Sequence, residues 1–303
     1  MVSRADTHVH SKYSGLARLG FLRFPESTNE PGDIVKKAKA AGLDTVCVTD
    51  HNTIKGGVMA ERFARTFDGI DVVVGEEISC IEGEVIGLYL NEDVPKDLPV
   101  AEAVDRVRSQ GGLLIAPHPF SMHVPGLRFK VDELDLDGLE VFNAGHTDGY
   151  ANKRALEHAR CGRWAMTGGS DSHSLSTIGC AYTEFEGSGG EDLRKAILNK
   201  TTSGKGEKMS IEAGTRWTME VVMEADRQII RSVIGRNGED PDNLVTQTVN
   251  RLPGHKKLLA LIGSAVYLMP PIPYLVVWIG EKRIKRLNSV PIHDPNAHDP
   301  GLF

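Results

Sequence analysis

The sequence predicts an α/β fold: a mostly parallel (β/α) barrel followed by a helical C-terminal extension. Three observations predict it. Short apolar runs alternate with amphipathic stretches of helical length from the first residues to about 200. Residues of metal-ligand type follow several of those runs, so they gather at strand C-termini, where a barrel builds its active site from loops. A doubly wound open sheet offers one crevice at a switch point, and ligands from five or more strands are harder to gather there. Beyond about residue 205 the alternation stops and helical periodicity takes over.

The elements follow in order. Ala5-Asp6-Thr7-His8-Val9-His10 reads as a strand, and side chains at i and i+2 share a face, so His8 and His10 can reach one metal ion. Residues 33–40 have helical character and end at Gly42, a residue suited to a helix C-terminus. Thr45–Thr49 reads as a buried strand, 55–67 as a helix, Ile70–Val74 as the next strand, and Glu84–Leu90 as a strand beside it. A helix over 101–107 closes at Gly111-Gly112, and Leu113–Ala116 delivers His118. Gly138–Phe142 ends at Asn143, and a helix covers 150–160. Trp164–Thr167 leads through Gly168-Gly169 to Asp171 and His173, and a strand at 181–185 and a helix near 191–199 complete the barrel.

Composition bounds the function. The 303 residues can bury a full core, and 40% apolar with 25% charged residues is ordinary for a globular chain. A net charge of −6 argues against a nucleic-acid binder working through a large basic surface, while a small anionic substrate stays compatible because bound metals invert the local field. Cys47, Cys80, Cys161 and Cys180 form no close pair, so neither a thiolate zinc site nor a disulfide framework is expected, and a reducing, cytoplasmic setting is. The few residues before Asp6 leave no room for a signal peptide of about 15–30 residues.

The histidines and carboxylates at the strand ends make an N/O ligand set without sulfur, which suits Zn, Mn or Fe. A lone histidine is normally a satisfied core or surface residue. Two on one strand face, with Glu and Asp at equivalent strand ends, are better explained by a metal.

The ordered set Asp6-x-His8-x-His10, Thr49-Asp50-His51-Asn52, Gly75-x-Glu77-Ile78-Ser79, His118-Pro119-Phe120, Val141-Phe142-Asn143 and Gly169-Ser170-Asp171-Ser172-His173 resembles the PHP (polymerase and histidinol phosphatase) superfamily. More narrowly, it is similar to stand-alone metal-dependent phosphoesterases that carry a PHP-associated segment. The resemblance covers roughly residues 5–200 and implies a distorted seven-stranded (β/α) barrel with two or three divalent metal ions (Zn, Mn or Fe). Carried over by position, it assigns His8, His10, Glu77 and Asp171 to a first metal, Glu77 as the bridge to a second, His118 to that second metal, and His51 and His173 to a third. Asp6 and Asp50 become partners that hold the adjacent histidines. Asn143 reads equally as a rim residue or a turn residue.

Two departures stand out. Gly15 lies where relatives carry an acid or histidine, so the third site lacks a ligand unless Glu26 or Glu30 from the long 16–32 segment folds back. Glu84 lies where many relatives have a histidine, and reads either as a ligand of the second metal or as a solvated strand residue.

The function implied is a phosphoesterase that hydrolyses a small phosphorylated metabolite or nucleotide through a metal-activated water. Asp171 would accept the proton, and His173 or His51 would protonate the leaving group if the third site is empty. Lys12, Arg18, Arg23 and Arg128 are candidate phosphate-binding cations. The same ligands would serve a metal-dependent amide or carbamate hydrolase, and Gly15 keeps open a degenerate module serving in binding or regulation.

Residues 1–205 thus form the hydrolase domain and 206–303 the extension. Within the extension Trp217, Val221, Ala225, Ile229 and Val233 recur every four residues as an amphipathic helix, and 237–242 breaks it. Residues 258–280 then run without a charge, flanked by Lys256-Lys257 and by Lys282-Arg283 and Lys285-Arg286. That length suits a bilayer span of about 20 residues. Pro270, Pro271 and Pro273 would break such a helix near its middle, so a hairpin in one leaflet fits better, and membrane association through 258–280 is expected ahead of a buried helix pair. No spacing reports the oligomeric state.

Overall fold

The computed structural model describes residues 1–19, 22–236 and 244–291. In chain order the elements are β1 (Val2–Val9), β2 (Leu16–Leu19), β3 (Leu22–Pro25), α1 (Pro31–Ala40), β4 (Thr45–Val48), α2 (Lys55–Ala64), β5 (Asp71–Ser79), β6 (Glu84–Leu88), α3 (Val100–Ser109), β7 (Leu113–Ala116), β8 (Gly138–Asn143), α4 (Tyr150–Ala159), β9 (Ala165–Gly169), β10 (Ala181–Glu186), α5 (Gly189–Leu198) and β11 (Ser203–Gly206). The extension adds α6 (Ile211–Val233), α7 (Leu244–Arg251), α8 (Gly254–Tyr267) and α9 (Ile272–Asn288).

The main sheet runs β11-β10-β1-β4-β5-β6-β7-β8-β9 and curls into a nearly closed barrel. The seven expected strands are β1 and β4–β9; β10 and β11 extend the sheet to nine and pack against β9 at the seam. The sheet is less parallel than its sequence predicts. β6 pairs antiparallel with both β5 and β7, and β10 pairs antiparallel with β1 and β11. The reason at β6 is chain length: the tight turn 80–83, closed by the Cys80 N–H donating to Gly83 O at 2.9 Å, is too short for a crossover helix.

Patterning explains the layers. The apolar runs Thr45–Val48 and Leu113–Ala116 are buried along their whole length, as strands covered on both faces must be. In α3 the buried residues Val100, Ala103, Val104 and Val107 follow helical spacing and face the sheet. An apolar cluster draws Ala5, Cys47, Val73, Ile86, Leu88, Leu113, Ile115, Ala165 and Phe185 from seven strands and joins them to Leu193, Ala196 and Ile197 of α5. Helix α5 therefore packs against the barrel's inner residues.

The extension lies on the barrel through α6, whose buried stripe is Gly214, Val222, Ala225 and Ile229. The predicted four-residue repeat is displaced at both ends: Trp217 turns toward the rim, and Val233 is exposed. The predicted break at 237–242 lies outside the described residues. The segment 258–280 forms most of α8 and the first half of α9, two helices bent 83° apart, and among the described residues no single helix is long and apolar enough to cross a membrane.

Candidate metal centre

Five strand ends deliver the predicted ligands to one place, with Glu77 at the centre. Its Oε2 lies 3.2 Å from His8 Nε2, 3.3 Å from His10 Nε2 and 3.2 Å from His51 Nδ1, and its Oε1 lies 3.0 Å from His118 Nε2. Asp171 closes the other side, with Oδ1 3.6 Å from His8 Nε2, 3.2 Å from His10 Nε2 and 3.6 Å from His173 Nδ1. All seven residues are thus brought together. They form overlapping triads with ligand atoms close enough for one ion each: His8–His10–Asp171, His8–Glu77–His118, His10–His51–His173 and His51–Glu77–Glu84.

The rings are oriented by residues the sequence did not single out. Glu140 on β8 reaches His8 Nδ1 at 3.1 Å and accepts the His118 N–H at 2.8 Å, so His8 presents Nε2 to the cluster. A buried glutamate between Leu139 and Val141 is the signal that would have found it. Ser14 Oγ lies 2.8 Å from His10 Nδ1. Gly169 permits this packing, since a Cβ there would come within 2.4 Å of His8 Cβ and 2.7 Å of Glu140 Oε1. Asn143 is a rim residue: its Nδ2 donates to Glu140 Oε2 at 2.9 Å and to Asp171 Oδ2 at 3.1 Å.

Asp6 and Asp50 do not touch the histidine rings. Asp6 accepts from the backbone N–H groups of Ser170 and Gly179, and Asp50 from Ser11 N and Oγ, so each carboxylate stitches loops behind the site. An irregular register between Asp6 and Val9 turns Asp6 away from His8, and burial pushes Asp6 up to about 6 and Asp50 up to about 7.

The Gly15 gap is filled from the 16–32 segment. Strands β2 and β3 form a hairpin that returns Glu26 to the rim, where its Oε2 lies 3.8 Å from His51 Nε2 and 3.4 Å from where a Cβ on Gly15 would stand. Glu30 instead pairs with Lys12 at 2.9 Å. Glu84 is buried, 3.9 Å from both His51 Nδ1 and His118 Nε2, so it belongs to the cluster rather than to solvent.

The electrostatics of the site suit bound cations. Burial opposes charge on His8, yet Asp171, Glu77 and Glu140 hold its proton well above the usual imidazole range. Burial and then Glu77 push Glu84 up to about 8. His10 is driven the other way, by burial and by His173, and its buried Nε2 has no hydrogen-bond partner. Carboxylates crowded around histidine nitrogens, with a buried ring nitrogen unpartnered, fit divalent cations. Backbone strain accompanies the arrangement: His118 and Asp171 sit at φ +31 and +52, in the left-handed region that non-glycine residues rarely adopt.

The cluster floors a cavity of about 460 Å³ whose outer wall includes Ala17, Val124, Pro125, Met209, Trp217 and Ile284. His123 and His146 also line it, and His146 is buried with neither ring nitrogen hydrogen-bonded. His123 follows β7, which delivers His118, and His146 follows the β8 end that delivers Asn143, which is the pattern that would have found them. Among the described residues no lysine or arginine lines this cavity, Lys12, Arg23 and Arg128 included, and the Arg18 side chain lies outside the described residues. Lys96 lines an adjoining cleft that shares Glu26, His51 and Glu84.

The extension completes the rim. Trp217 Nε1 donates to Glu26 O at 3.0 Å, Glu220 accepts from Ser174 at 2.7 Å, and Asn288 at the end of α9 bonds His123, Asp148 and the Met122 N–H. These residues carry no ligand signal in the sequence.

A barrel with this rim defines a class of protein, the metal-dependent hydrolases. The chain belongs to the PHP family: the PHP-domain model matches residues 6–91 and the PHP-associated model residues 149–202. It is 50% identical over 153 residues to an uncharacterized protein of Methanocaldococcus jannaschii, a match spanning 50% of this chain and 89% of that one. A second uncharacterized protein of that organism is 39% identical over 189 residues, covering 60% of this chain and 70% of the other. The crystal structure of PsfC from Pseudomonas syringae PB-5123 shares the fold, with a TM-score of 0.51 and 18% identity over 74% of this chain and 97% of that one.

Proposed function

We propose that the protein hydrolyses a phosphate ester of a small metabolite or nucleotide, using two or three divalent ions of the Zn, Mn or Fe type. The observation that carries the reading is the sharing of Glu77 among His8, His10, His51 and His118, which sets several cation positions side by side. Adjacent cations match a phosphoryl group, which offers several oxygens at once. Ions held there supply Lewis acidity that makes water a nucleophile near neutral pH and stabilises charge on the ester oxygens. His8, His10, Glu77 and Asp171 would hold the first, Glu77, His118 and Glu84 the second, and His51, His173 and Glu26 the third.

The remaining roles belong to the chain itself. Asn143 fixes Asp171 Oδ2, leaving Oδ1 to face the histidines and accept a proton from water. A neutral imidazole carries one N–H, so His146, unpartnered on the cavity wall, supplies a donor to a phosphoryl or leaving-group oxygen. His173 Nδ1 lies 3.0 Å from Asp171 O, which presents its Nε2 to the cavity. Glu26 at the Gly15 gap favours an intact centre over a degenerate binding module.

Metal analysis of the purified chain, combined with phosphate release from a panel of esters in added Mn, Zn or Fe, tests the reading. Bound transition metal and ester hydrolysis that disappears in His8→Ala are expected. A chain without bound metal, with His8→Ala as active as wild type, would sink it. Hydrolysis confined to amides or carbamates in the same panel would move the reaction to carbon–nitrogen bonds.

A further inference from the structure

Helices α8 and α9 invert the usual arrangement of a surface helix. Leu258, Leu259, Ile262 and Val266 on α8, and Leu275, Val276 and Ile279 on α9, point outward, with Leu258 60% and Ile279 58% exposed. Inward positions are modest: Ala260 and Ser264 on α8, and Pro273 and Asn288 on α9. Scattered exposed apolar residues need no explanation, but an outward row of large apolar residues on each of two consecutive helices does.

Charge indicates what covers it. Residues 254–288 contain six basic side chains and one acidic, Glu281, although the chain as a whole is at −6. Lys282, Arg283, Lys285 and Arg286 come directly after the apolar stretch, and the Lys282 ammonium sits 3.5 Å over the Trp278 ring. Apolar residues flanked by lysine and arginine, with Tyr274 and Trp278 partly exposed between them, are the composition of a helix lying in a membrane interface. Among the described residues no single helix is long and apolar enough to cross a bilayer, and the pair is bent by 83°, which favours a mode that rests at the interface over a straight span.

We infer that α8 and α9 dock on an anionic lipid bilayer, with the outer apolar face sunk among the acyl chains and the basic residues at the headgroups. The docked surface adjoins the catalytic cavity. Helix α9 contributes Ile284 to that cavity's wall and, through Asn288, holds the His123 loop, so the site opens beside the lipid surface. The inference stands independently of which bond the centre hydrolyses.

The test is flotation of the purified full chain with vesicles of phosphatidylcholine alone or mixed with phosphatidylglycerol. Wild type should float with the mixed vesicles, and Ile262→Asn/Leu275→Asn/Ile279→Asn should cut the bound fraction by about tenfold or more. Lys282→Glu/Arg283→Glu should lose binding to a comparable extent, since each basic residue near an anionic surface contributes about 1 kcal/mol. Circular dichroism and an unchanged midpoint of denaturant unfolding report that the variants remain folded. Wild type that stays unbound with both vesicles overturns the inference. So does flotation that survives all five substitutions, or a dimer that the apolar substitutions dissociate without any vesicle binding, which would make a second copy the occupant.

Discussion

The barrel rim and the α8–α9 pair break the same rule in opposite directions. At the rim His8, His10 and Glu77 are fully or almost fully buried, although charged and titratable groups are normally solvated. On α8 and α9 large apolar side chains are left in water. In the first region the departure suits bound cations; in the second it is the basis of the proposed docking on lipid. Between them lies an ordinary core, where Leu139 and Leu114 are buried among other aliphatic residues.

Predictions that sharpen this contrast begin at Glu77, the shared carboxylate. Glu77→Gln should lower hydrolysis roughly 10³-fold, the scale of removing a major electrostatic contributor to a transition state, and should reduce metal content measured on the same sample. Retained metal with retained turnover would remove Glu77 from the centre of the site. The ordinary core comes next: Leu139→Ala should cost about 2–5 kcal/mol in denaturant unfolding. Glu140→Gln should weaken metal affinity about 10–100-fold by loosening His8 while changing stability little, a difference readable by competition with a chelator.

Glu76 offers a pH-dependent version of the contrast. It neighbours Glu77 on β5 but points away from the centre, accepts the Val94 N–H at 2.9 Å, and burial pushes it up to about 8. A carboxyl whose folded value lies above its unfolded one binds more protons when folded. Its contribution therefore favours the folded state at low pH and is lost as pH rises from about 4.5 through 8. Glu76→Gln should flatten that part of the stability profile, and an unchanged slope would assign the pH dependence to other groups. The smallest effect is expected on the outer face, where Ile262→Ser should change unfolding free energy by less than about 0.5 kcal/mol. A cost like that of Leu139→Ala would show that α8 is packed rather than exposed.

Most of the strands and the placement of ligand-type residues near strand ends were legible from local rules, while the set of seven candidate ligands was implied by the family resemblance. An apolar run makes a strand, and the residues just past its end land on the rim. The hairpin at 16–25 was not, because its two strands are short and their partner surface comes from α6 and α7, far along the chain. Glu26 could be named only as one of two alternatives, since its position depends on that hairpin and on Trp217 binding its carbonyl. Asp6 and Asp50 were misassigned for a different reason: Asp50 directly precedes His51 and so faces the other way, while an irregular register between Asp6 and Val9 turns Asp6 away from His8 although the two are two residues apart. Asn288 acts through contacts distant in sequence, which no local pattern reports.

The seam of the barrel bears on how the protein is made. Strand β1 carries His8 and His10, yet one of its edges is covered by β10, and the Val9–Ser172 bridge and the Asp171 N–H bond to His8 O also come from late residues. During synthesis the first two ligands emerge from the ribosome roughly 160 residues before Asp171, and at ordinary elongation rates this leaves them without their partners for about ten seconds or longer. Metal capture is therefore an end-of-synthesis event, and a nascent chain stalled before β10 should fail to retain the ion that the finished chain holds.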